Sequence, residues 1–322
     1  MPAALSAAQA GEGATEPACP FDFPIHDHIT TLELSSGAFV TARGRVYGNP
    51  GAPAIIVLGG ISAHRFLLGD HAERTSWWPG IAGPGLALDP LRHRLLAFDF
   101  LAEEVGPFPR VEDQAEALLA LADAAGFDTF QIAGASYGGT IALALAALAP
   151  ERVTGLHVLC AAHCPHPMTT ALRAIQRDIV EFGLARGDGA GGVDLARRLA
   201  MTTYRTAQEF KARFDKPDPG CADAAGVEAY LAARGGEYAA RTSPQRFLAL
   251  SRSMDAARID PARIRVPARV FAIEEDRLVP PEDAKALADA IPGAQLHVCS
   301  SLYGHDGFLK EIEAVSRFLE AI

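Results

Sequence analysis

Short apolar runs separated by helical patterns set the rhythm of this chain. Ala54–Leu58 reads Ala-Ile-Ile-Val-Leu, apolar at both strand parities. A strand with one wet face alternates; one that is apolar throughout is covered on both faces. Arg94–Phe98, Thr129–Ala133 and Val153–Cys160 read as further strands. Between the first two of these three, Val111–Ala125 has helical spacing, with Ala115, Leu118, Leu119 and Ala122 on one side. Upstream, Thr30–Leu34 and Phe39–Tyr47 form two short strands around a turn at Ser35-Ser36-Gly37. The β-α alternation predicts an α/β fold, a mostly parallel sheet with helices on both faces.

The rhythm changes after Pro165. Up to about Pro261 the pattern is helical, with amphipathic stretches at Leu172–Val180, Val193–Met201 and Ala207–Phe214 and breaks at Gly187–Gly192 and Lys216–Gly220. Strands resume at Ala268–Ile273 and Gln295–Cys299, and helices at Pro281–Ala290 and Gly307–Ala321 close the chain. The predicted organisation is a disordered tail over 1–22, a core from 23–164 and 262–322, and a helical lid insertion over 165–261. At 322 residues the chain suits one core carrying such an insertion.

Composition narrows the classes. With 49% hydrophobic and 21% charged residues the chain is globular. A formal net charge of −10 argues against a nucleic-acid partner, although a local basic cluster can still hold an anionic acyl donor. Five cysteines, Cys19, Cys160, Cys164, Cys221 and Cys299, are odd in number and scattered. Cys160 and Cys164 have no second pair to complete a zinc site, so free thiols in a reducing cytosol, and no metal, are expected. Met1–Glu16 has no basic region and no sustained apolar stretch, unlike a signal peptide. No window reaches the roughly 18 apolar residues of a membrane span. The expectation is a cytoplasmic protein with no membrane partner and no cofactor.

The candidate chemistry sits at Gly134-Ala135-Ser136-Tyr137-Gly138-Gly139, between a strand and the alanine-rich helix Thr140–Ala149. A serine is a poor nucleophile until a sharp turn lifts it towards a base, and flanking glycines permit that turn. The amide of Tyr137 is then a natural oxyanion donor. The second donor should come from the loop after Ala54–Leu58, where Gly59 and Gly60 allow close backbone approach. Asp276 follows the strand Ala268–Ile273, and His305 follows Gln295–Cys299, so both fall at the carboxyl edge where open α/β sheets handle ligands. Glu274 or Glu275 could orient the histidine instead of Asp276. His64, His163 and His166 read as local structure or substrate contacts. The chain order Ser136, Asp276, His305 is that of α/β-hydrolase triads.

Beyond the triad, several segments resemble the homoserine O-acyltransferase family, itself similar in fold to the α/β hydrolases. They are Trp77-Trp78-Pro79-Gly80 with the glycine-rich turn after it, the Ser136 turn, Ala196-Arg197-Arg198 followed by Thr203-Tyr204, Ser253-Met254-Asp255, and Gly304-His305-Asp306-Gly307-Phe308-Leu309. The resemblance implies Arg197 as the binder of the substrate carboxylate, Tyr204 as a lid residue lining the same pocket, and Asp306 as holder of the substrate ammonium. It implies transfer of an acetyl or succinyl group from acyl-CoA, as co-substrate, to L-homoserine in methionine synthesis, by a homodimer joined through its lid helices. A helix N-cap is the plain alternative role for Asp306, and a solvated charge beside Arg198 that for Arg197. The chain departs from the family pattern in three places: a short Asp99–Pro109 connection, Gly59-Gly60-Ile61 in the early loop, and Tyr137 where methionine is common. Arg65 and Arg173 are candidate partners for a succinyl carboxylate. Competing expectations are L-serine as acceptor, an esterase or thioesterase using water, and a noncatalytic binding protein.

Overall fold

The computed structural model describes residues 22–69, 75–215 and 223–320. The tail up to residue 21, Cys19, Cys221 and the break at Lys216–Gly220 lie outside the described residues. Eight strands form one sheet: β1 (Ile25–Glu33), β2 (Phe39–Tyr47), β3 (Ala54–Leu58), β4 (Arg94–Phe98), β5 (Phe130–Ala135), β6 (Val153–Leu159), β7 (Ala268–Ile273) and β8 (Gln295–Cys299). Their spatial order is β1-β2-β4-β3-β5-β6-β7-β8. The β1–β2 and β2–β4 pairs are antiparallel and the remaining pairs are parallel.

Alternate residues of each central strand enter different cores, which is why these strands are apolar at both parities. Ile56, Leu58, Leu96, Phe98, Ile132 and Val270 join the core under α1 (Val111–Ala124), α2 (Tyr137–Leu148) and α8 (Pro281–Ala290). Ile55, Val57, Leu95, Ala133, Phe271 and Ile273 face the opposite core, with Trp78, Phe308 and the terminal α10 (Ile312–Leu319).

The sheet has a switch point. The chain leaves β3 for β4 on one side and returns through α1 to β5 on the other, so the loops after β3 and β5 part at the carboxyl edge. That opening is filled by α3 (Pro167–Ala185), α4 (Gly189–Tyr204), α5 (Ala207–Phe214), α6 (Ala224–Ala239) and α7 (Pro244–Ala256), all between β6 and β7. Side-chain caps define their starts: Asp188 accepts from Gly191 N–H at 2.9 Å, Thr206 from Glu209 N–H at 3.0 Å, and Ser243 from Arg246 N–H at 3.0 Å before Pro244.

Several boundaries differ from the sequence reading. β1 starts earlier than Thr30, because its outward positions are polar and hide the pairing with β2. The break expected at Gly187–Gly192 closes before Gly189, where Asp188 caps α4. Gly307–Ala321 is not one helix: α9 (Gly307–Lys310) ends at Glu311, with φ −84° and ψ 65°, before α10 starts. The Trp78 indole N–H donates to the Phe308 carbonyl at 3.0 Å, taking the acceptor that a continuous helix would offer to Ile312.

Ile132, fully buried on the central strand β5, measures how much the core depends on this packing. Ile132→Ala should lower unfolding free energy by about 2–5 kcal/mol, read from urea denaturation midpoints. A loss near zero would contradict the tight packing described for β5.

Candidate active site

Ser136 sits between β5 and α2 at φ 53° and ψ −121°, a left-handed conformation that residues with a Cβ avoid. The neighbouring glycines are sterically required. A Cβ on Gly134 would lie 2.5 Å from the Gly138 carbonyl, and one on Gly138 would lie 2.5 Å from the Gly59 carbonyl. Gly138 N–H donates to Gly59 at 3.0 Å, so the nucleophile turn is hydrogen-bonded to the loop after β3.

Ser136 Oγ lies 2.9 Å from His305 Nε2, and His305 Nδ1 lies 2.6 Å from Asp276 Oδ2. The other Asp276 oxygen accepts from Leu278 N–H at 2.8 Å and Val279 N–H at 3.0 Å. Those bonds fix the carboxylate in a site where it is 3% exposed. With Nδ1 donating to Asp276, Nε2 is left to accept the serine proton. Glu275, the alternative orienter, instead binds Ser300 Oγ and Ser301 N–H under the histidine loop. Burial pulls the His305 imidazole pKa down, but the charge and hydrogen bond of Asp276, with Asp306 adding, outweigh it and leave it raised.

Tyr137 follows the serine, and its side chain reaches away from the cavity opening into the core. Its hydroxyl is 2.7 Å from Ser253 Oγ on α7 and accepts from Gln114 Nε2 of α1 at 3.1 Å. Gln114 also brackets Leu101, donating to its carbonyl at 2.7 Å and accepting its N–H at 2.9 Å. Burial pushes the Tyr137 phenol up to about 12, so it stays neutral in this network. Ser136 N–H donates to the Leu159 carbonyl at 2.8 Å, tying the turn to β6. On the facing loop Gly60 lines the cavity: a Cβ there would be 3.8 Å from Ser136 Cβ. Gly59 packs under Trp77 instead, with its carbonyl on Gly138.

A cavity of about 220 Å³ opens on Ser136 and His305. Its walls come from the sheet edge and from α3, α4, α6 and α7. Arg197, Tyr204 and Asp306 all line it, as do Arg173, Tyr238 and Cys164. The Arg197 guanidinium lies 5.0 Å from the Tyr204 ring centre and 4.6 Å from that of Tyr238, and Nη1 donates to the Tyr204 hydroxyl at 3.3 Å. Its buried Nε has no hydrogen-bond partner. Burial also pushes the Tyr204 phenol up.

Asp306 is the N-cap residue of α9 by position, but its side chain makes no cap hydrogen bond. Oδ2 accepts from Arg205 Nε at 2.7 Å. Neither this pairing nor the Tyr137–Ser253 contact was expected from sequence, since each joins segments about a hundred residues apart. Tyr238 was missed as well; only its place in a helical stretch hinted at it. Of the two candidate succinyl arginines, Arg65 pairs with Asp99 and does not line the cavity. Arg173 does line it: Asp255 accepts from its Nε at 2.7 Å and also from Arg177 Nη1 at 2.5 Å, setting two guanidiniums against one carboxylate. His64 and His166 accept from Phe66 N–H and Met168 N–H, both at 3.2 Å, as local structure. Among the described residues no helix is long and apolar enough to cross a membrane.

Residues 53–311 match the family model described as alpha/beta hydrolase fold. A homoserine O-succinyltransferase of Xanthomonas campestris pv. campestris is 41% identical, over 86% of this chain and 77% of its own. A homoserine O-acetyltransferase of Thermobifida fusca is 32% identical, over 84% and 83%. Among solved structures, homoserine O-acetyltransferase from Bacillus anthracis superposes with TM-score 0.81 at 14% identity, over 93% of this chain and 97% of that one. Esterase E22 superposes with TM-score 0.80 at 15% identity, over 92% and 99%. At such identities the structural likenesses speak for the fold, and the sequence relatives carry the assignment further. The chain belongs to the homoserine O-acyltransferase family of the α/β hydrolase fold.

Proposed function

We propose that this chain transfers an acyl group from acyl-CoA to the hydroxyl of L-homoserine through an acyl-enzyme on Ser136. The observation that carries the reading is a cavity in which a hydrogen-bonded Ser136–His305–Asp276 chain meets a cation, Arg197, and a carboxylate, Asp306, on the same walls. Such a pair of opposite charges suits a zwitterionic amino acid and is superfluous for a simple ester. In the first half-reaction His305 takes the Ser136 proton as Oγ attacks the thioester carbonyl, and returns it to the departing CoA sulfur. The amides of Tyr137 and of Gly59 or Gly60 would receive the oxyanion. In the second, His305 takes the homoserine hydroxyl proton as that oxygen attacks the acyl-enzyme, then protonates the leaving Ser136. Arg197 would grip the carboxylate and Asp306 the ammonium, with Tyr204 walling the pocket. Serine differs from homoserine by one methylene, a distinction of about 1–3 kcal/mol in such pockets.

The helices between β6 and β7 act as the lid of this pocket. The exposed Met168, Ile175 and Phe182, seven residues apart along α3, support a homodimer formed through it. A role in methionine synthesis from CoA thioesters fits a cytoplasmic enzyme.

The discriminating assay is release of free CoA with and without L-homoserine; release indifferent to homoserine would make the chain a thioesterase. Ser136→Ala should cut both homoserine-dependent and background release by roughly 10⁴-fold or more, and turnover that survived would refute the acyl-enzyme. The acid limb of the pH–rate profile should lie above the ordinary imidazole value of about 6.5, because the base must be neutral and its pKa is raised. Activity is therefore lost as pH falls through that raised value. Asp276→Asn should slow turnover by about 10⁴-fold and move the limb to lower pH, since imidazolium loses its counter-charge; a limb that stayed put would place the titration elsewhere. Arg173 with its excess positive charge supports succinyl as the acyl group. With succinyl-CoA and acetyl-CoA in one tube, succinyl transfer should dominate, and Arg173→Met should cut succinyl use about tenfold more than acetyl use. An equal loss with both donors removes Arg173 from donor selection.

A further inference from the structure

The corner between α4 and α5, Tyr204–Thr206, packs on the loop that carries His305. Gly304, at φ 56°, leaves room for it: a Cβ there would lie 3.0 Å from the Tyr204 carbonyl. Thr206 Oγ1 donates to the Leu302 carbonyl at 2.5 Å. Arg205, in the middle of the corner, is 9% exposed and holds Asp306 from behind. Behind Arg205 stands Glu209, 3% exposed, 3.6 Å from Arg205 Nη1 and 2.9 Å from Arg213 Nη2. Asp306 lines the cavity; Arg205 and Glu209 do not.

The charges alternate from the surface inward: Arg213 positive, Glu209 negative, Arg205 positive, Asp306 negative. A lone guanidinium against Asp306 would cancel much of the attraction that carboxylate has for a second cation. Glu209, 3.6 Å from Arg205 Nη1, offsets part of that guanidinium's charge, while Arg205 stays bonded to Asp306 Oδ2. A pair kept only for stability would be expected to satisfy its hydrogen bonds or to be replaced by apolar groups. Here Arg205 Nη1 and Glu209 Oε2 are buried with no hydrogen-bond partner. Capping of α5 does not explain Glu209 either, because the cap runs from Thr206 Oγ1 to the Glu209 backbone N–H and makes no use of its carboxylate.

We propose that Arg205 and Glu209 are positioning residues that tune Asp306 for an ammonium, and thereby select amino-acid alcohols over amine-free hydroxy acids as acyl acceptors. The proposal rests on the acyltransferase reading and deepens it. The test uses the full chain and compares L-homoserine with 4-hydroxybutyrate, which keeps the chain length, carboxylate and hydroxyl and lacks the ammonium. Wild type should favour L-homoserine in kcat/KM by about tenfold or more. Glu209→Gln keeps the side-chain shape and the cap; it should raise KM for L-homoserine about tenfold with little change in kcat, and leave KM for 4-hydroxybutyrate unaltered or lower. Arg205→Lys should retain more of the preference than Arg205→Met. Arg213→Met, at the exposed end of the chain of charges, should act in the opposite sense and lower KM for L-homoserine by about twofold, which keeps the idea open to refutation if Glu209→Gln does not fold. Equal effects of these variants on both acceptors, or a fall confined to kcat, would overturn the proposal and leave the acyltransferase reading intact. A wild-type protein that acylates neither acceptor would overturn that reading, and this proposal with it.

Discussion

The site depends on one backbone constraint: Ser136 must be held at φ 53° against its own steric preference. Non-glycine residues in such regions cost of the order of 1–3 kcal/mol, so the surroundings have to over-determine the turn. They do so from three sides. Gly138 is pressed against the Gly59 carbonyl and bonded to it, Ser136 N–H is tied to β6 through Leu159, and α2 begins at the next residue. The fourth restraint comes from the side chain of Tyr137. The Tyr137 hydroxyl is anchored in a buried network with Gln114 and Ser253, so the residue after the nucleophile is fixed at its far end as well. A methionine at that position has no hydroxyl to donate and offers only a weak thioether acceptor.

That network also explains why the helical insertion is part of the site. Ser253 lies on α7, Arg197 on α4 and Asp255 at the end of α7, while His305 and Asp306 belong to the sheet edge. The two halves meet through polar contacts of definite geometry: Tyr137 with Ser253, Arg205 with Asp306, Thr206 with Leu302. Each joins a residue of the insertion to a core segment distant in sequence. Displacing the insertion would remove the walls of the cavity and also the partners that orient the turn and the histidine loop.

Much of this was legible in the sequence because the signals are local. The apolar runs at Ala54–Leu58 and Ala268–Ile273 give buried strands directly, and the glycines around Ser136 mark the turn, since each excludes a side chain at a defined contact. The order Ser136, Asp276, His305 placed three groups at one sheet edge, where they are within hydrogen-bond reach. What stayed hidden is non-local. Nothing near Arg205 in sequence distinguishes it from Arg198, yet Arg198 pairs within its own helix with Asp194 while Arg205 reaches across a hundred residues to Asp306. The break at Glu311 was hidden for the same reason: the N–H that takes the Phe308 carbonyl comes from Trp78, 230 residues away in sequence.

The electrostatics of His305 tie these strands of argument together. A histidine this deeply buried would ordinarily be neutral and a weak base, because desolvation disfavours imidazolium. Asp276 reverses the sign by contact and Asp306 reinforces it, while Arg173 opposes them from the cavity wall. Asp306, which lines the cavity, therefore also raises the basicity of its neighbour in the chain. Arg205, bonded to Asp306 Oδ2 at 2.7 Å and outside the cavity lining, restrains that side chain. A histidine of raised basicity and a carboxylate held by a guanidinium thus occupy adjacent positions in the chain at one cavity wall.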